Sequence, residues 1–226
     1  MRVHYVSCFP VGDNAEKPLS NLLRGWGELA EVQLTETAIG AAEDLRHHLR
    51  DMPKESLDVL IVGGHGHASR SGFWVRKDEV RWHDLAFQLR GSLPRSCSFI
   101  FYSCDGAFPG IAHIFGRETG PDVVFGPRIS ALAEAMCHAV QEILEWKKQG
   151  GGDAASARSL VDRVNAWATS IYLDPNDHEF LRVIWCEGPG CRHPNKPSPD
   201  EPKAAMIPLR KWGLDQPAAP DGAIFP

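Results

Sequence analysis

Two apolar runs, each released into a glycine-flanked loop, constrain this chain more than any other feature. The first is Leu57-Asp58-Val59-Leu60-Ile61-Val62, followed by Gly63-Gly64-His65-Gly66. The second is Ser98-Phe99-Ile100-Phe101-Tyr102-Ser103, followed by Cys104-Asp105-Gly106. Short β-branched or aromatic runs without alternation are the pattern of strands buried on both faces. Val3–Phe9 and Asp122–Phe125 repeat it, Glu31–Leu34 reads as a weaker strand, and Phe180–Trp185 as a last one. Helical spacing fills the intervals: a short helix at Pro18–Gly25, a stronger one at Ala38–Met52, and a further one at Asp84–Arg90. Two more fall at Ser130–Lys148, with Ser130 as N-cap and Lys147-Lys148 at the end favoured by the helix dipole, and at Ser156–Ser170. Gly150-Gly151-Gly152 reads as a flexible joint between them, and the alternating aromatics of Ser71–Trp82 as a small hairpin.

Strands alternating with helices predict an α/β fold: a mostly parallel central sheet with helices on both faces. The 226 residues fit one such domain, spanning 1–186. Residues 187–226 hold nine of the 17 prolines and read as a proline-rich tail. The net charge of −5 argues against a protein that coats nucleic acid, and no apolar run is long enough to span a bilayer. The N-terminus lacks the pattern of a secretory signal, so a cytoplasmic location is expected. Six cysteines are too sparse for a disulfide framework, which leaves room for a working thiol.

In parallel sheets the working residues lie beyond the carboxyl ends of strands. That rule selects His65 and Cys104, which are 39 positions apart, room for an excursion, a helix and a return strand. A thiol is nucleophilic as thiolate, and a neighbouring imidazole takes its proton. Gly66 leaves its backbone N–H open to a carbonyl, and with the Cys104 N–H it completes an oxyanion hole. Cys8, Cys97 and Cys137 lack this context and are read as packing residues.

Val62-Gly63-Gly64-His65-Gly66 resembles the His-Gly step of the caspase-like cysteine peptidases. Tyr102-Ser103-Cys104-Asp105-Gly106 resembles their Gln-Ala-Cys-x-Gly step and the Ser-Ala-Cys step of the bacterial CHAT-type branch. The resemblance covers about residues 3–185. It implies a caspase-like three-layer sandwich and peptide hydrolysis through an acyl-enzyme, with no metal or organic cofactor. His65 takes the role of general acid/base, Cys104 of nucleophile, and the backbones of Gly66 and Cys104 of oxyanion donors. Tyr102 stands where caspases carry Gln and metacaspases Asp at the floor of the S1 pocket, so neither specificity transfers. Arg128 occupies a place similar to an arginine that grips a substrate aspartate, whereas Asp13 would support a basic P1 residue. The implied partner is a protein or peptide substrate, with control by a regulatory protein and a setting in regulated proteolysis or bacterial defence.

Other readings stand beside this one. A catalytically inactive adaptor would use the same surface to bind a partner, with Tyr102 filling S1. A metal-dependent hydrolase would use His65 and His67, but Ser69 stands where the metallo-β-lactamase pattern needs an aspartate. Cys186, Cys191 and His193 offer a metal cluster without a fourth ligand.

Overall fold

Alternate side chains of the central strands are buried on opposite sides, and this divides the core in two. The computed structural model describes residues 1–53, 56–66, 72–81, 84–85, 88, 93–94, 96–104, 123–127, 132–171 and 181–185. Five strands run parallel: β1 (Arg2–Ser7), β2 (Gln33–Ala38), β3 (Val59–Gly63), then after a hairpin β7 (Ser98–Tyr102) and β8 (Val123–Pro127). A sixth, β9 (Leu181–Trp185), is antiparallel to β8, and the spatial order is β2-β1-β3-β7-β8-β9. Ser7 is level with Gly63, and Gly63 with Tyr102, so three strands release the chain at one height. The α/β expectation is met, with a mostly parallel sheet covered by helices on both faces.

One face is formed by Val3, Tyr5, Val59, Ile61, Ile100, Tyr102 and Phe125. It is covered by α1 (Lys17–Gly27), α3 (Ala133–Lys148) and α4 (Ala154–Ile171). In α1 the buried Leu19, Leu23 and Trp26 recur at helical spacing. The other face presents Val6, Leu60, Val62, Phe99 and Phe101 to Leu45 and Leu49 of α2 (Ala42–Asp51). Each fully buried aliphatic or aromatic side chain here contributes about 2 kcal/mol relative to exposure. On this face the His4 ring bonds Thr35 Oγ1 at 2.6 Å and His48 Nε2 of α2 at 2.7 Å. Burial, then the neighbouring His48, lower the His4 pKa to about 4.

The expected excursion is a three-stranded antiparallel sheet of β4 (His65–Gly66), β5 (Gly72–Val75) and β6 (Asp78–Arg81). Its turn is tied to the body of the fold. The Arg76 N–H donates to Cys8 O at 3.2 Å, and Asp78 Oδ2 accepts the Ala42 N–H that opens α2.

Several boundaries differ from expectation. The second strand is Gln33–Ala38 rather than Glu31–Leu34, because pairing with β1 fixes it and an edge strand carries little apolar signal. The α2 helix therefore begins at Ala42 and not Ala38. The N-cap of α3 is Leu132, without a side-chain bond, instead of Ser130. The glycine joint is a closed cap. Gly150, at φ +86°, donates to Lys147 O and Gly151 to Trp146 O, and a Cβ on Gly151 would lie 2.2 Å from the Trp146 ring. Most of the Asp84–Arg90 helix and all of the proline-rich tail lie outside the described residues.

Candidate active site

The sheet brings the two strand exits together. The β3 ladder continues one residue beyond the strand, with the Gly64 N–H donating to Tyr102 O at 3.1 Å. The chain then changes sheet: His65 pairs with Trp74 and Gly66 with Phe73 of β5. Gly64 permits the crossing, since a Cβ there would lie 2.9 Å from both the Phe73 ring and the Trp74 carbonyl. The β7 exit is the buried Ser103 and the half-buried Cys104. A Cβ on Gly66 would lie 2.5 Å from Cys104 O and 2.9 Å from Cys104 Cβ. The His65–Gly66 segment thus rests directly on Cys104.

The loop leaving β1 completes the surroundings of the histidine. Asp13 Oδ2 lies 2.8 Å from His65 Nε2, and Asp13 Oδ1 accepts the Ala15 N–H at 2.8 Å. Burial works against ionisation of Asp13, but the bonds from His65 and Ala15 outweigh it and hold its pKa below the usual carboxylate value. Phe9 meets the His65 ring edge-on, with centroids 5.0 Å apart. Glu16 on the same loop accepts hydrogen bonds from the Ser7 and Tyr5 hydroxyls, fastening the loop to β1.

The four described cysteines are in no disulfide and differ in setting. Burial pushes the Cys8 and Cys97 thiols up to about 12 and that of the partly buried Cys137 to about 11. Such thiols are protonated near neutrality and are inert as nucleophiles.

The expected substrate residues fare differently. Tyr102 is fully buried, and its hydroxyl lies 2.9 Å from the carbonyls of both Ala15 and Ala133. Its side chain is a strut between the β1–α1 loop and the start of α3. Asp13 faces the His65 ring. Arg128, His67, Cys186, Cys191 and His193 lie outside the described residues. Among the described residues, no three His, Cys, Asp or Glu side chains converge on a metal position. A recess of about 180 Å³ between Arg2, Thr35 and Pro53 sits at the amino-terminal end of the strands, away from His65 and Cys104.

The Asp13–His65 contact, across 52 positions of chain, is what sequence reasoning missed. Its only local signal was an acid placed after the first strand, which fits specificity as well as contact with a ring.

The backbone is similar to that of a secreted C11 cysteine protease from Bacteroides thetaiotaomicron, with a TM-score of 0.53 at 12% identity. That match covers 82% of this chain and 66% of the protease, so the chain spans just under two thirds of the length of that neighbour. Caspase-1 from Spodoptera frugiperda aligns at 11% identity over 84% of this chain and 90% of its own, with a TM-score of 0.49. No protein-family model and no curated protein matches the sequence. The fold is therefore similar to that of a solved structure described as a cysteine protease. No helix among the described residues is long and apolar enough to cross a membrane.

Proposed function

We propose that the chain is a cysteine endopeptidase with Cys104 as nucleophile and His65 as general acid/base. The observation that carries this reading is the contact of the His65–Gly66 segment with Cys104 at the ends of adjacent parallel strands. The Cys104 thiol gives its proton to the His65 ring, and the sulfur attacks the scissile carbonyl carbon. The carbonyl oxygen becomes an oxyanion held by the Gly66 and Cys104 N–H groups, worth on the order of 3 kcal/mol in the transition state. The ring then protonates the leaving amine as the C–N bond breaks, leaving a thioester on Cys104. Water, deprotonated by His65, hydrolyses it and restores the thiol.

Protein substrates fit this chemistry, with no cofactor called on. The Tyr102-Ser103-Cys104-Asp105-Gly106 step supports placement near the bacterial CHAT-type branch. That likeness in turn suggests regulated cleavage of a dedicated protein target, in the cytoplasm and under a partner's control, as in defence. The test is labelling by an electrophilic peptide probe beside cleavage of a diverse peptide library, with Cys104→Ala and His65→Ala as controls. Cleavage lost in both variants and labelling lost in Cys104→Ala are the expected results. Cleavage that survives Cys104→Ala overturns the assignment.

A further inference from the structure

The β1–α1 loop carries two carboxylates with separate tasks. Glu16 is occupied by Ser7 and Tyr5 and holds the loop to the sheet. Asp13 sits on a turn made possible by Gly12, whose φ of +79° is a conformation that other residues rarely adopt. The turn is closed by the Asp13 N–H bonding Pro10 O at 3.1 Å. Its carboxylate is locked at Oδ1 by Ala15 and aimed at His65 through Oδ2. The side chain of Asp13 is 19% exposed against 48% for His65, so the acid is the more sheltered partner.

We propose that Asp13 is a positioning residue for His65: its carboxylate holds the ring as the Nε2–H tautomer and leaves Nδ1 as the nitrogen that exchanges a proton with Cys104. This rests on the peptidase reading above. An ionised carboxylate only accepts hydrogen bonds, so at 2.8 Å the proton between the two groups belongs to Nε2. A neutral imidazole carries one N–H, so Nδ1 is then bare. Once Nδ1 has taken the Cys104 proton, the adjacent carboxylate stabilises the imidazolium without itself being protonated. The perpendicular Phe9 ring packs against the imidazole, and the β4–β5 pairing fixes the backbone that carries it. It follows that Asp13 does not confer a preference for a basic P1 residue.

The test uses Asp13→Asn, which is isosteric and keeps the oxygen that receives the Ala15 N–H. Nitrogen-15 NMR of the imidazoles, with His65 assigned by comparison with His65→Ala, reads the tautomer directly. Steady-state cleavage of a peptide found with the wild-type chain reads its consequence. The expected result is an Nε2–H ring in the wild type, loss of that single tautomer in Asp13→Asn, and a fall in kcat of about 100-fold with KM within about twofold. An unchanged tautomer in the variant overturns the inference, and so does a rise in KM for basic peptides with kcat retained. A wild-type chain that cleaves nothing, yet shows the Asp13-dependent tautomer, supports the positioning contact and overturns the peptidase reading instead.

Discussion

Gly66 lies so close to Cys104 that a single added methyl group would stand 2.5 Å from the Cys104 carbonyl oxygen. The obstructing atom is backbone at the end of a buried strand, so relief requires the two strand exits to part. Gly66→Ala is therefore expected to cost about 1–3 kcal/mol of stability. It should also abolish cleavage under conditions where the protein remains folded. A melting temperature and turnover equal to wild type would show that the two segments do not touch in solution.

The contrast among the cysteines predicts a labelling pattern. Cys8 and Cys97 are buried with thiols near 12, and Cys137 is near 11. Brief alkylation at pH 7.5 followed by peptide mapping should modify Cys104 and leave these three intact until denaturant is added. Modification of Cys97 at the rate of Cys104 would contradict the packing of that face.

Tyr102→Phe separates support from recognition. Removing the hydroxyl between the Ala15 and Ala133 carbonyls should lower stability by about 1–2 kcal/mol in urea unfolding. The residue preferred at P1 should stay the same. A switched preference would return Tyr102 to the substrate groove.

The His4–His48 contact predicts an acid-sensitive component of stability. The folded His4 titrates at about 4 against 6.5 for an unperturbed ring, so the unfolded chain binds the proton more readily. Stability is full above pH 6.5 and declines toward pH 4, by on the order of 3 kcal/mol. His4→Gln should show a shallower decline across that window in urea midpoints. Equal slopes in the two proteins would rule the pair out as the source.

Much of the architecture was legible because β1, β3, β7 and β8 are buried on both faces and so read as apolar runs. The parallel-sheet rule then pointed to His65 and Cys104, which the structure sets on neighbouring exits. The edge strand β2 was misplaced because Gln33, Thr35 and Glu36 are polar and exposed; its position follows from pairing with β1. The start of α2 was misread because the acceptor that caps Ala42 is Asp78, supplied by another element. The support that Tyr102 gives was not legible, because sequence position does not reveal that two distant carbonyls hold its hydroxyl.

The change of sheet at Gly64 has an architectural consequence. Cys104 takes its alignment from the large parallel sheet, whereas His65 takes part of its alignment from the small antiparallel one. The two members of the pair thus belong to different hydrogen-bonded frameworks, joined through a one-residue seam and a hairpin whose turn is moored at Cys8 and Ala42. Loosening those moorings would move the imidazole relative to the sulfur while the central sheet stayed whole, so the geometry of the pair can be lost without unfolding the protein.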